Sequence, residues 1–271
     1  MSTKTKLFNP RLIDRLSKNK NFARIFGLSL AITLWTALAV VFPANQMPFP
    51  HETLTQSWEL IISGQAVYDT GITIWRTFLG FIGAMIFGSL LGIIMGTSRY
   101  GEKLLTPHVV IGLSVPAVAW AAAAMLAFGF SILTPVVATI LTTFPYITLN
   151  VWKGVENIDF SLLEMSEAFE ISYKKRISQV IIPSITPQLF TASRLGLAIS
   201  WKIVTIAEMF SGNTGVGYRL ISAYDNLRFE EAWAWAVMFM IIILAIEYGI
   251  MKPLERRVYN YRNDADYDLL Y

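Results

Sequence analysis

Six stretches of this chain are long and apolar enough to cross a lipid bilayer, and that property fixes most of what the chain can fold into. A hydrocarbon core of about 30 Å needs about 20 apolar residues at a rise of about 1.5 Å each. The runs are Ile25 to Phe42, Thr70 to Thr97, Pro107 to Phe130, Ile132 to Trp152, Leu189 to Phe210 and Ala232 to Met251. Backbone polar groups in lipid must pair within their own segment, so each run is expected to be helical. Composition agrees: 54% of the 271 residues are apolar and 15% charged, with a mean hydropathy of +0.50, where a soluble domain carries about 25% charged residues. The absence of cysteine and the presence of only His51 and His108 exclude a disulfide frame, a thiolate nucleophile and a cysteine- or histidine-rich metal centre.

The third and fourth runs are separated by little more than Ser131, so a tight hairpin near Gly129 is expected there. Small residues recur along the runs, at Gly80, Gly83, Gly88, Gly92 and Gly96 and again from Ala121 to Ala124. They let membrane helices approach closely, which predicts a packed bundle. Orientation follows from Lys and Arg. The segments before run 1, between runs 2 and 3, between runs 4 and 5, and after run 6 hold 7, 2, 4 and 4 of them. The opposite segments hold only Arg219 and Arg228, so both termini are expected in the cytoplasm.

The organisation expected is therefore a cytoplasmic basic tail over 1–24, a six-helix transmembrane domain over 25–251 and a cytoplasmic tail over 252–271. No small-residue cleavage site follows run 1, which is expected to be retained. Leu12, Ile13 and Leu16 among Arg11, Arg15 and Lys18 have the spacing of a helix lying in the membrane interface. On the outer side, Leu54 to Ile62 reads as a short amphipathic helix and Gly212 to Gly217 as an external turn.

Ionisable residues inside a span cost roughly 2.5 to 3.5 kcal/mol on insertion scales, so each is a functional candidate. Arg76, Arg194, Lys202 and Glu208 qualify, with Glu247 toward the cytoplasmic end of run 6. Arg194 and Lys202 are eight residues apart, within about 80° of one another around a helix. That basic face would suit an anion pathway. The other reading has Arg194 reaching the cytoplasmic headgroups and Lys202 paired with an acid on a neighbouring helix. Runs 2 and 5 cross in opposite directions, which puts Arg76 and Glu208 at the same depth and allows them to pair. Trp120, with Trp201 and Phe128, lies at membrane depth and is a candidate gate, although packing is the commoner role of a buried aromatic. Trp75, Trp233 and Trp235 fall where an interfacial aromatic belt is expected.

The connection from Lys153 to Gln188 carries helical pattern in place of turn residues, and is expected to fold into short helices outside the bilayer. Its residues Gly154-Val155-Glu156-Asn157-Ile158-Asp159, Leu162-Leu163-Glu164-Met165-Ser166 and Val180-Ile181-Ile182-Pro183 resemble the coupling (EAA) loop of type I ATP-binding-cassette importer permeases. Further matches at Val115-Pro116-Ala117-Val118-Ala119-Trp120, Phe128-Gly129, Arg194, Ala207-Glu208-Met209 and Gly215-Val216-Gly217-Tyr218 are similar to the nitrate/sulfonate/taurine branch, over nearly the whole chain. The match has departures. Met165-Ser166 stands where the pattern has two alanines, and Glu170 stands where it has a glycine, a residue that enters the left-handed region without penalty. Glu167-Ala168 imitates the motif's opening but lies too close to Pro183, which favours Glu164.

The resemblance implies an all-α permease subunit in a bacterial inner membrane. It implies two cytoplasmic ATP-binding subunits, a second permease copy, most simply in a homodimer, and a periplasmic or lipid-anchored solute-binding protein, with no role for nucleic acid. Gly154, Asp159, Leu163, Glu164, Glu167, Glu170 and Pro183 would form the ATPase-coupling loop. Arg76, Trp120, Arg194, Lys202 and Glu208 would be candidates for the translocation pathway. No cofactor is expected in this chain, because it has no G-x-x-x-x-G-K-[ST] phosphate loop, so ATP and Mg would be held by the partner ATPase. The branch includes importers of nitrate, sulfonates, taurine, bicarbonate and pyrimidine-type vitamin precursors. The competing class is an ion-coupled secondary transporter; six runs without an inverted repeat argue against it.

Overall fold

The computed structural model describes residues 20–43 and 46–253, and within them only the backbone of 20–24, Phe160, Leu162, Leu163 and Tyr173. The expected interfacial helix around Leu12 and most of the C-terminal tail lie outside the described residues. Every regular element among them is helical: α1 (Lys20–Val41), α2 (Pro50–Ile62), α3 (Gln65–Thr97), α4 (Arg99–Ser114), α5 (Ala117–Phe128) and α6 (Leu133–Glu156) come first. Then follow α7 (Phe160–Ala168), α8 (Tyr173–Arg176), a π turn (Ile177–Ile181), α9 (Ile182–Ser211), α10 (Val216–Asp225), α11 (Phe229–Ile246) and a second π turn (Glu247–Met251).

All six apolar runs lie on helices. Four helices are long and apolar enough to span alone, at Gln65–Thr97, Leu133–Glu156, Lys174–Ser211 and Phe229–Met251. Ile25–Val41 of α1 is a shorter apolar helix. The third run is not one straight rod, because α4 and α5 meet at 99°. The break follows from the sequence Val115-Pro116: proline forces the residue before it out of the helical region, and Val115 sits at φ −74°, ψ 125°. The expected hairpin between runs 3 and 4 is made at Gly129, whose φ of 61° and ψ of −152° are open only to glycine.

The glycine row of α3 determines the centre of the bundle. A Cβ built on Gly80, Gly88 or Gly92 would come to 2.7 Å from Thr139, Ile147 or Val151 of α6. The two backbones therefore approach as only small residues allow, and dispersion contacts along this seam replace the hydrophobic drive that lipid removes. Toward the loop between α6 and α9 the seam continues into a buried cluster of Ala84, Ile147, Val151, Val155, Ile181, Ile185 and Ala192, which recruits α9. At the opposite end Leu60, Ala66, Val216, Ala234, Trp235 and Met238 join α2, α3, α10 and α11.

Of two connections, one agrees with expectation in kind and one differs. The amphipathic segment expected from Leu54 to Ile62 is helical and begins earlier, at Pro50, and Glu52 returns to the Phe49 amide at 2.7 Å. The second half of the cytoplasmic connection, expected as a separate short helix, instead runs straight into span 5 as one 38-residue helix from Lys174 to Ser211. Pro183 falls in the first turn of α9, directly after the π turn, which accommodates the bond that its missing N–H leaves out of the continuous helix.

Candidate functional site

At the end of the bundle that carries α10, charged groups that lipid could not tolerate singly are collected into one buried cluster. Asp69, Thr73 and Arg76 recur at four- and three-residue spacing, so α3 presents them on one face. Glu208 of α9 is fully buried, and Arg76 Nη1 donates to its Oε1 at 2.8 Å. The Thr73 hydroxyl and the Gly217 amide donate to the other carboxylate oxygen at 2.9 and 3.1 Å. Arg76 also donates to the Thr214 carbonyl at 2.8 Å. Asp69, equally buried, accepts from the Gly215 amide and from Arg219 Nε, both at 2.7 Å. Gly215, at φ 102°, lets the chain double back here, and a Cβ at Gly215 or Gly217 would collide with the Glu208 side chain. Two acids and two bases thus neutralise one another and fasten α3, α9 and α10 together. The pairing of Arg76 with Glu208 was legible from span direction. Asp69, Thr73 and Arg219 were not singled out, although the spacing of Asp69, Thr73 and Arg76 was the available signal.

Span 5 carries the two remaining intramembrane cations, and the structure separates them. Arg194 is bound to Glu247 on the second π turn at 2.7 Å, each about a quarter to a third exposed. Lys202 lies on an outward face of α9 with Thr191, Leu195 and Ala198, all exposed at four- and three-residue spacing. No acidic side chain among the described residues pairs with Lys202. The face expected to be jointly basic therefore presents Lys202 alone. Trp120 on α5 is half-buried, and its indole N–H finds no acceptor among the described residues.

At the opposite end Gly154 is buried, and a Cβ there would come to 2.8 Å from Gln188, so α6 and α9 pinch together at the base of the loop. Asp159 caps α7 by accepting from the Ser161 amide at 2.9 Å. The Ser161 backbone and hydroxyl together hold its carboxyl below the usual carboxylate range. Leu163 sits on α7, with only its backbone described. Glu164 and Glu167 are exposed on α7, and Glu167 accepts from Arg176 at 3.0 Å. The helix ends in a Schellman arrangement: the Ile171 amide reaches the Ser166 carbonyl at 3.0 Å and the Glu170 amide that of Glu167 at 2.9 Å. Glu170 adopts φ 48°, the conformation for which the family pattern supplies glycine, so the loop keeps the turn and bears the cost of a side chain in it. Pro183 lies exposed in the first turn of α9. No group of three or more His, Cys, Asp or Glu able to hold a metal occurs among the described residues.

Comparison with known proteins gives the arrangement its context. Residues 84–258 match the family described as binding-protein-dependent transport system inner membrane component. A Bacillus subtilis (strain 168) protein named as an aliphatic sulfonates transport permease, SsuC, is 27% identical over 263 residues, covering 95% of each chain. The nitrate import permease protein NrtB of Synechocystis is 25% identical, covering 84% of this chain and 82% of its own length. Among solved structures, a chain of the inward-facing MetNI methionine ABC transporter superposes with a TM-score of 0.63 at 17% identity, over 73% of this chain and 97% of that one, a likeness of fold. The chain belongs to the family of binding-protein-dependent transport system inner membrane components, the permease subunits of ATP-binding-cassette importers.

Proposed function

We propose that this chain is one of two copies that together form the membrane pathway of an ATP-driven importer for a small anion such as nitrate, a sulfonate, taurine or bicarbonate. In this reading both termini are cytoplasmic, the solute arrives from a binding protein outside, and ATP is hydrolysed by separate subunits that grip the loop around α7. The observation that carries the choice of solute class is Lys202. It is the intramembrane cation without an acidic partner among the described residues, on an exposed face of α9 otherwise uncharged. A lone ammonium facing lipid is costly, so that face is covered by a second copy or by the aqueous pathway, and there an anion is the partner that compensates the charge. The relatives named for aliphatic sulfonates and nitrate support the same class.

ATP acts in this scheme by shifting an equilibrium between inward- and outward-facing bundles, and it does so only through its differential binding to the two. Glu164 and Glu167, exposed on a short helix pinned at Gly154 and ended at Glu170, are the surface an ATPase would seize. Uptake by the reconstituted assembly tests the pathway: Lys202→Met should abolish transport while assembly and basal ATPase activity persist, and unchanged uptake would refute the role of Lys202. Recovery of a nucleotide-binding subunit with the tagged chain, lost in Glu164→Ala/Glu167→Ala, tests the coupling loop. Uptake that collapses with an uncoupler at constant ATP would move the chain to the ion-coupled class.

A further inference from the structure

The helix that enters span 5 carries a group of cations far from the bilayer. From Lys174 to Ser211 it runs 38 residues, about 57 Å at a rise of about 1.5 Å. A bilayer with its headgroups is about 45 Å thick, so with Ser211 at one surface the other end stands about 10 Å clear of the headgroups. Lys174, Lys175 and Arg176 open this end. Arg176 is held by Glu167 at 3.0 Å. Lys174 and Lys175 are exposed and have no acidic partner among the described residues. Headgroup phosphates are too distant to compensate them.

Charge of the opposite sign is present in the same chain. Residues 254–271 lie outside the described ones, and among them Asp264, Asp266 and Asp268 alternate with Ala265 and Tyr267. Bound in extended form, such a segment would carry all three carboxylates on one side. Arg262 falls on that side too, two residues before Asp264, and the exposed Glu164 and Glu170 of the loop offer it an acid. Loop and segment thus match in both signs. Leu269 and Leu270 follow the aspartates, and Phe169, 74% exposed on the turn after α7, offers them an apolar neighbour.

The segment is long enough to arrive. Arg194 of α9 is tied to Glu247 just after α11, which levels the two helices at that pair. Lys175 lies nineteen residues before Arg194, about 29 Å along the rod, and Pro253 lies six residues past Glu247, about 9 Å in the same direction. About 20 Å remain along the axis, and the eleven residues from Pro253 to Asp264 extend to roughly 36 Å. We infer that the Arg262–Asp268 segment docks on Lys174 and Lys175, beside α7 of its own chain. Resting on the importer reading above, the docked segment covers the surface that an ATPase would seize, and binding of the ATPase displaces it.

The test uses the 271-residue chain in nanodiscs, where the absence of native cysteine leaves no background. Gln179, exposed one turn from Lys175, supplies one position. Gln179→Cys/Ala265→Cys treated with a short bismaleimide should give a cross-link within one chain, read from peptide masses and monomer mobility. Asp264→Asn/Asp266→Asn/Asp268→Asn, Lys174→Gln/Lys175→Gln or added salt should each lower its yield about fivefold, the effect of one or two exposed ion pairs. The two sets of substitutions combined should lower it no further than either alone. Cross-links only between chains, a yield indifferent to these charges, or no cross-link would each overturn the docking. The ATP-binding subunit that co-purifies with the chain should bind about fivefold more tightly once the three aspartates are neutralised. Unchanged affinity beside an intact intrachain cross-link would overturn the competition. Failure of the importer reading looks different: no ATP-binding subunit associates with wild type or variant, while the intrachain cross-link persists.

Discussion

The two ends of the molecule handle charge in opposite ways. At the α10 end Asp69, Thr73, Arg76, Glu208 and Arg219 are knit by hydrogen bonds of 2.7 to 3.1 Å, with both acids withdrawn from solvent. At the α7 end Glu164, Glu167 and Glu170 lie exposed on nine residues of helix and its turn, with a single pair to Arg176 among the described residues. The first arrangement is complete within one chain and resists change. The second is an unfinished surface whose shape is held by its frame, Gly154 at the base and the turn at Glu170, while its charges stay available. In the proposed importer this asymmetry would serve a subunit moved from one side: a fixed far end and a near end that another protein can hold.

The contrast can be broken by experiment. The largest effect is expected from Glu208→Ala, which strands Arg76 in a buried site. Loss of one partner of such a pair costs about 3 to 5 kcal/mol, read as a fall in the melting midpoint of the purified subunit in detergent. Glu164→Ala should leave that midpoint in place, and equal losses from both would erase the distinction between the ends. Gly154→Leu comes next, since overpacking against Gln188 should cost about 1 to 3 kcal/mol and displace the loop, seen as lost ATPase co-purification. Glu170→Gly should go the other way and raise stability by about 1 kcal/mol by relieving the left-handed side chain; a lower midpoint would mean that the Glu170 side chain contributes more than its strain removes. The smallest effect concerns pH. Asp159 is held below its usual range, so its contribution is fully present above the unperturbed value near 3.8 and fades as pH falls through the lowered one. The protection factor of the Ser161 amide, corrected for the intrinsic pH dependence of exchange, should fall over that acidic window and stay level near neutrality.

Much of this was legible in the chain itself, because lipid enforces simple rules. Apolar length located the helices, and antiparallel spans brought Arg76 to Glu208. Glu170 at the glycine position of the resemblance marked a turn whose geometry the sequence left open, and the structure keeps the left-handed residue there. What stayed hidden has a physical reason in each case. The 99° break at Pro116 interrupts a run whose composition is apolar on both sides, so hydropathy passes over it without a signal. Asp69 and Arg219 sit at the margins of spans, where a charge looks solvated, and only the fold carries them under the 212–217 turn. Lys202 and Arg194 share a helix side by arithmetic, but Glu247 claims Arg194 through a π turn that periodicity cannot anticipate.

The long helix that begins at Lys174 and ends at Ser211 turns this division of labour into mechanics. Thirty-eight residues at a rise of about 1.5 Å make a rod of roughly 57 Å, nearly twice the hydrocarbon thickness. One end carries Lys174, Lys175 and Arg176 beside α7, and the other carries Glu208 in its buried socket. In the proposed importer, a rod anchored at Glu208 would act as a lever with its fulcrum at that end: a tilt of about 5° would sweep the Lys174 end through roughly 5 Å. Lys202, much nearer the fulcrum, would travel a fraction of that distance. The leverage would then convert a large, weak movement at the loop into a small, forceful one within the bundle.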